Sequence, residues 1–481
     1  MFIFKSHYKI FSQSSFIKHM STVKKPPVLP PFNFTPPEYS GPSYSEVKDL
    51  RSKYVNPGIF SYYKTPLMIT EGKMQYLYDE RGKRYLDFFA GAVTISVGHC
   101  HPRIVRVAQE QISKLMHTST IYLNNNLAEL SRDLAMKMPN NLSSIYFVNS
   151  GSDANELALL MSRLFTNNST VISIRNSYHG INGATMELTN MGNWKFNIHS
   201  NQGIEKALCP DMYRGEFCDP NKTEQEIVDK YVNEVQNLIN YNTSGEIAAF
   251  FAEPIQGKGG VIPMPPTYLN RVFDIVRQHG GLCISDECQT GLGRLGKDYW
   301  GCSLQNASPD IITLSKGIGN GIPIAAVATK PEIAETMKRK LSFNTYAGNP
   351  LSTIVAKEVL KIIDEEKLQD NCLNMGNLLK QRLNNLKSKY NVVGDIRGEG
   401  LMIGIDLVTS KETKDPNPVA TKNIFERCKE LGLLLGKDGL YGNILRLKPP
   451  MCINKNDVEF ACDVLDFVLE EESKGGLTFF K

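Results

Sequence analysis

A chain of 481 residues, 41% hydrophobic and 22% charged, can enclose two or three cores, and a formal net charge of +4 with no basic stripe excludes a nucleic-acid partner. Its longest apolar stretches, 247–252 and 322–328, fall far short of the roughly 20 residues that a membrane helix requires, so a soluble protein is expected. The ten cysteines, spread between Cys100 and Cys462 without a Cys-x-x-Cys pair, point to a reducing compartment rather than to a disulfide framework or a zinc knuckle.

The chain begins with Lys5, Lys9, Lys18, Lys24 and Lys25, interspersed with Phe, Ile and Ser, and has no acid before Glu38. That composition, although without arginine, is expected for a mitochondrial transit peptide over 1–25 and a matrix location; a disordered tail is the alternative. Residues 24–42 are too rich in proline for a helix or central strand and read as an extended lead-in. Runs at 74–78 and 83–88 around Asp79-Glu80-Arg81-Gly82 predict a hairpin, placing an N-terminal segment over 26–90. Short apolar runs at 144–148, 171–174, 248–252, 282–285 and 311–314 then alternate with helical patterns at 155–165 and 269–279. This predicts an α/β fold with a mostly parallel sheet flanked by helices over 91–345. Beyond it, a long helical stretch and strands at 392–397, 402–407 and 444–447 predict a smaller α+β domain. That domain, residues 346–481, is expected to include the N-terminal segment.

In such sheets ligands gather at the carboxyl ends of the strands, which is where the reactive residues fall. Lys316, in Ser315-Lys316-Gly317-Ile318-Gly319, follows the strand at 311–314 and is a candidate imine-forming nucleophile; alone it could equally be a solvated loop lysine. Asp286 is expected just past the end of an apolar strand. A carboxylate there could pair with a pyridinium nitrogen and keep that ring an electron sink, or simply cap a helix. Gln289 could bond the ring's phenolic oxygen. Ser150-Gly151-Ser152 opens a patterned helix after the strand at 144–148 and suits a phosphate. Tyr178-His179-Gly180 offers an aromatic face for a ring to stack on. Glu253 places another carboxylate on this edge, either to position Gln289 or substrate, or to form a structural ion pair. His99 and His101 lack a third ligand, so no metal is expected.

Taken together, these segments resemble the class III pyridoxal-phosphate aminotransferases, the ω-amino-acid transaminase subgroup of fold type I. The likeness covers roughly 60–460 and rests on Ile284-Ser285-Asp286-Glu287-Cys288-Gln289-Thr290-Gly291-Leu292-Gly293-Arg294 with Lys316 thirty residues after Asp286. GHCHP at 98–102, NSGSDANE at 149–156, YHG at 178–180 and EPIQG at 253–257 follow the family's order. The resemblance implies that Lys316 carries pyridoxal 5′-phosphate as a Schiff base and that Asp286 holds its ring nitrogen. It further implies that Thr345 reaches the cofactor phosphate of a neighbouring subunit, making the unit a homodimer or a tetramer built from it. Arg446 matches the arginine that binds the substrate carboxylate, and Tyr62 a substrate-facing tyrosine, although Tyr63 could serve instead.

Cys288 stands where the family usually has Val or Ala, a modest change. Lys258 replaces a glutamate that in several relatives masks the carboxylate-binding arginine, which favours small 2-oxo acids engaging Arg446. The implied reaction moves an amino group from alanine, or a β-amino acid such as β-aminoisobutyrate, to glyoxylate or pyruvate. Two rivals are a class III phospho-lyase acting on a phosphorylated amino alcohol and a non-catalytic fold-type I binding protein.

Overall fold

Strands buried at every position need a sheet covered on both faces, and Val171–Ile174, Ala249–Ala252, Leu282–Asp286 and Ile311–Leu314 are of this kind. The structure, a computed structural model, describes residues 25–197 and 203–480; nearly all of the expected transit peptide lies outside them. A seven-stranded sheet runs in the order Ser144–Val148, Ala325–Thr329, Ile311–Leu314, Leu282–Asp286, Ala249–Ala252, Val171–Ile174, Ile204–Ala207. All neighbours are parallel except that Ala325–Thr329 is antiparallel to both of its own. Two successive reversals return Ser144–Val148 to the common direction, so its Asn149-Ser150-Gly151 end joins the other strand ends on one edge.

Alternation along a strand fills both faces. Phe250 belongs to the core shared with Val272 and Phe273, whereas Phe251 belongs to a second core with Ala158 and Leu159. Each fully buried phenylalanine contributes about 1.5–3 kcal/mol. Helices Gly151–Thr166, Glu224–Asn242 and Tyr268–Gln278 cover the sheet.

The remainder is built around two four-stranded sheets. The expected hairpin forms from Tyr76–Asp79 and Arg84–Asp87, with Tyr76 opposite Leu86 and Gly82 at φ +76° in the turn. Ile69–Lys73 pairs beside it, and Leu433–Leu434 adds in parallel to Arg84–Asp87, so the two ends of the chain share one sheet. The other sheet orders Val393–Glu399, Met402–Leu407, Ile444–Leu447 and Gly436–Asp438, all antiparallel. Helices Leu368–Lys389, Pro418–Glu430 and Lys455–Ser473 pack on it and on one another.

Three local expectations are refined. Asp286 is the last residue of its strand rather than lying just beyond it. The helical stretch after 345 is two helices, Pro350–Glu365 and Leu368–Lys389, separated where Lys367 turns to φ +52°. The proline-rich lead-in has no regular structure but is anchored, with Phe32 tilted against Tyr76 at 4.6 Å and Phe34 edge-on to Tyr78 at 5.4 Å. It leads into a helix not expected from the sequence, Tyr44–Tyr54, started by a Ser43–Glu46 capping box.

Asp457 ties the hairpin to the last helix. Its oxygens accept from the buried Tyr76 Oη at 2.6 Å and Gln75 Nε2 at 2.8 Å, and from the N–H of exposed Asn454 at 2.9 Å. Asp457→Ala strands these donors and is expected to cost at least about 1–3 kcal/mol, read as a lower denaturant midpoint. An unchanged midpoint would mean that the hairpin is held by its apolar contacts alone.

Candidate active site

Asp286 is buried to 4% exposure at the sheet edge. Its Oδ2 accepts from Asn155 Nδ2 at 2.7 Å and lies 2.8 Å from His179 Nδ1; its Oδ1 accepts from the Cys288 N–H at 3.1 Å. Thr313 Oγ1 donates to Asn155 Oδ1 at 2.7 Å, fixing the amide with its NH2 toward Asp286 and the His179 carbonyl. Burial pushes the Asp286 carboxyl up, but the bond and charge of His179, the charge of Lys316 and the Cys288 donor outweigh it and bring the group down to about 2. A fully buried carboxylate is therefore ionised at neutral pH. His179 is thus turned inward onto Asp286, and Tyr178, edge-on to Trp194 at 5.6 Å, is the half-buried ring of that motif.

Ser150 caps the helix Gly151–Thr166, its Oγ accepting from the Asp153 N–H at 3.2 Å. The N–H groups of Gly151 and Ser152 have no carbonyl within the helix to meet. Gly151 is packed too closely for a side chain, since a Cβ would stand 2.9 Å from Ser315 Oγ and 3.0 Å from Cys288 Sγ. Ser315 Oγ is itself buried without a hydrogen-bond partner. Next to it Lys316 sits at φ +51°, a left-handed conformation that costs a residue with a Cβ on the order of 1–3 kcal/mol. The loop around it is held rather than solvated: Ser96 Oγ donates to the Gly317 carbonyl at 2.6 Å, and Asn320 bonds Ser96, Val97 and Gly98 backbone.

Glu253 accepts the Tyr178 N–H at 3.0 Å and the Gly257 N–H at 2.8 Å, so its carboxylate organises two loops and touches neither Gln289 nor a cation. Burial pushes this carboxyl up. Gln289 Oε1 accepts from Lys448 Nζ at 2.9 Å. Lys448 is fully enclosed, and burial, helped by the charge of Arg446, holds its amine well below the usual lysine range. With its oxygen taken, Gln289 has its NH2 left to donate.

Arg446 is also enclosed, at 2% exposure; its Nη1 donates to the Gly257 carbonyl at 3.4 Å and its Nε has no acceptor. It forms an ion pair with Asp438, whose carboxylate lies 3.4 Å from Lys258 Nζ as well. Lys258 rests over the Trp194 ring at 3.8 Å, and burial, against the pull of Asp438, brings its amine down to about 8. Tyr62 Oη donates to the Lys437 carbonyl at 2.7 Å and packs 5.2 Å from Phe89, beside Arg446, whereas Tyr63 stacks on Phe425. A lysine at 258 therefore does not leave Arg446 without an acid.

The sequence profile described as aminotransferase class-III matches residues 60–469. This chain belongs to that family. It is 44% identical over 443 residues to the mitochondrial alanine–glyoxylate aminotransferase 2 homolog 2 of Arabidopsis thaliana, covering 92% of this chain and 91% of that one. It is 40% identical over 464 residues to the human mitochondrial alanine–glyoxylate aminotransferase 2, covering 92% and 90%. Stretches such as NSGSDANELALLMSR at 149–163 and KGIGNGIPIAAV at 316–327 already carry that narrower likeness. Among solved structures, an aminotransferase from Bacillus anthracis superposes with a TM-score of 0.82 at 31% identity, over 90% of this chain and all of that one. A phospholyase from Arthrobacter in complex with phosphoethanolamine gives 0.82 at 30%, over 88% and 99%.

As a class III aminotransferase the protein is an α/β enzyme of fold type I that works with pyridoxal 5′-phosphate on amino acids and 2-oxo acids. The residues present fit that cofactor: an ionised buried carboxylate, a lysine at the adjoining strand end, unfilled helix N–H groups, and an orphaned serine hydroxyl beside a glycine with no room for Cβ. His99 bonds Asp87 at 2.8 Å, His101 starts a helix and lies 3.2 Å from Glu366, and no metal-holding cluster occurs among the described residues.

Thr345 is exposed, in a turn fastened to the same edge where Asn149 Nδ2 donates to Asn344 Oδ1 at 2.9 Å. Sequence reasoning missed Asn155, Lys448 and Asp438. A buried asparagine in a helix and the alternation of Arg446 with Lys448, which puts both on one side of a strand, were the available signals. Gly151→Ala is expected to loosen the cofactor by roughly 10-fold in an absorbance titration, in keeping with an overpacking cost of about 1–3 kcal/mol. Undiminished affinity would show that Ser315 and Cys288 yield freely.

Proposed function

We propose that this aminotransferase moves the amino group of alanine, or of a β-amino acid such as β-aminoisobutyrate, to glyoxylate or pyruvate, in two half-reactions at one site. The observation that carries the reading is Arg446: an enclosed guanidinium whose Nε–H lacks an acceptor, with Lys258 within electrostatic reach of both it and Lys316. The names of the relatives at 40–44% identity support the same pair.

Bound pyridoxal 5′-phosphate supplies an aldehyde that an amine can join and a ring that accepts the electron pair left when a substrate C–H bond breaks. Lys316 Nζ would hold that aldehyde carbon and, once displaced by the donor's amine, would be the base that carries the substrate proton. Asp286 keeps the ring nitrogen's proton in place, and His179 keeps Asp286 in place. The Gly151 and Ser152 N–H groups, with the Ser150 and Ser152 hydroxyls, receive the phosphate. Tyr178 offers its ring, Glu253 fixes Tyr178 and the Gly257 loop, and Gln289 turns its NH2 to the phenolic oxygen. Arg446 takes the substrate carboxylate as a bidentate fork, with Tyr62 beside it.

Thr345 is read as serving the partner subunit's phosphate in a homodimer with shared sites. It lies among exposed Leu341, Phe343 and Tyr346, and Tyr346 packs 5.7 Å from His117 near exposed Ile121 and Tyr122. Exposed large apolar side chains of this kind suit a subunit interface. The mitochondrial names of the relatives support a mitochondrial location; residues 1–25 are read as the leader and the matrix as its destination, with the rest of the chain divided at 26–90, 91–345 and 346–481.

Alanine added to the holoenzyme alone should bleach its long-wavelength absorbance and yield one equivalent of pyruvate; glyoxylate should then restore the band. Lys316→Ala should lose both the band and turnover, and retention of either would sink the assignment. The likeness to the phospholyase favours a second reading, elimination from a phosphorylated amino alcohol. No phosphate should be released from phosphoethanolamine in the absence of an oxo acid; sustained release would replace transamination as the reading.

A further inference from the structure

Gly436 lies directly opposite Arg446 across an antiparallel pair, and Asp438 opposite Ile444. The two-residue offset sets the side chains of Asp438 and Arg446 on one face of the sheet, as diagonal neighbours within reach of a long side chain. Gly436 provides the space, since a Cβ there would meet Arg446 Nε at 3.3 Å. The Gly439 N–H bonds the Lys258 carbonyl at 3.1 Å, so the end of this strand is fastened to the loop that carries Lys258. Asp438 consequently stands between two cations brought from opposite sides, with side-chain exposures of 2% for Arg446, 9% for Asp438 and 18% for Lys258.

Arg446 and Asp438 meet as charges but off the hydrogen-bonding directions, for Arg446 Nε and Asp438 Oδ2 both lack a hydrogen-bond partner. A buried ion pair without its hydrogen bonds gains little over its desolvation cost. A substrate carboxylate lying in the plane of the guanidinium would fill the Nε–H that Asp438 leaves empty. Lys258, 3.4 Å from the Asp438 carboxylate and braced on Trp194, is already in place to keep that carboxylate from being stranded.

Resting on the reading of Arg446 as the carboxylate receptor, we propose that Asp438 is its removable counter-ion and that Lys258 retains Asp438 when a substrate carboxylate takes the guanidinium. With Asp438 on Arg446, that end of the pocket is neutralised and can face an amino donor that has no carboxylate there. With Asp438 on Lys258, the guanidinium is free for a 2-oxo acid. The acid that faces Arg446 is supplied from the adjacent strand, and the lysine at 258 becomes its second partner. The site is thus built to take both carboxylate-bearing acceptors and donors whose carboxylate lies elsewhere.

Propionate, a carboxylate that cannot react, isolates this step when its binding to holoenzyme is measured by calorimetry. Asp438→Asn should tighten propionate by roughly 5-fold or more, and Lys258→Met should weaken it by a comparable factor. In the Asp438→Asn background, Lys258→Met should have little effect, because its role is to receive Asp438. Equal weakening by Lys258→Met in both backgrounds would reduce Lys258 to a distant charge, and weaker or unchanged binding in Asp438→Asn would remove the counter-ion; either result overturns the proposal. Asp438→Ser carries the same expectation should Asp438→Asn not yield folded holoenzyme. If alanine and glyoxylate fail as substrates while the propionate cycle behaves as stated, the substrate reading falls and the counter-ion stands.

Discussion

A carboxylate removed from water costs several kcal/mol unless its oxygens are filled by donors, and the sheet edge of this aminotransferase is arranged around filling those of Asp286. His179 arrives from the loop after Val171–Ile174, Asn155 from the helix that follows Ser144–Val148, and Thr313, which sets the asparagine's orientation, from the neighbouring strand. Asp286 pairs in register with Thr313, which places Lys316 three residues beyond that point. Holding one charge thereby fixes the relative positions of a helix N-terminus, an aromatic loop and the reactive lysine. The same network keeps the group ionised without a neighbouring arginine.

The other end of the site has the opposite sign and a different construction. Arg446 and Lys448 come from the C-terminal region, Lys258 and Gln289 from loops of the large sheet, and Glu253 binds the backbone at Tyr178 and Gly257 together. Burial depresses the two lysines, and both find acceptors, Gln289 for one and Asp438 for the other. A charge gradient from Asp286 to Arg446 therefore runs across the interface between the two parts of the chain. Under the proposed function it would give a substrate a fixed direction, amine toward Lys316 and carboxylate toward Arg446.

Much of this was readable in order along the chain. The strands at 144–148, 171–174 and 311–314 have the bounds their apolar runs predict, because each run tolerates only small hydroxyls or a tyrosine among its apolar residues and stops at a polar one, Asn149, Arg175 and Ser315. Lys316, Asp286 and Ser150-Gly151-Ser152 were legible because each lies at such an end. Tyr178-His179 was legible as a motif but not in its division of labour; only packing shows that the histidine serves Asp286. The capped helix Tyr44–Tyr54 was missed beside a proline-rich segment whose composition masks the capping signal.

The sequence by itself determined the chemistry: an α/β sheet, a lysine and an aspartate thirty residues apart at adjacent strand ends, and a serine-glycine cradle. These are local facts, set by apolar period and by the few residues just past each strand. Only the tertiary structure decided what Arg446 faces. Lys258 and Asp438 are 180 residues apart, and their meeting depends on a strand register that places a glycine opposite the arginine. A substitution read alone at 258 suggested a lost acid; the fold restores one from the facing strand, because burying a guanidinium requires a counter-charge whatever element supplies it.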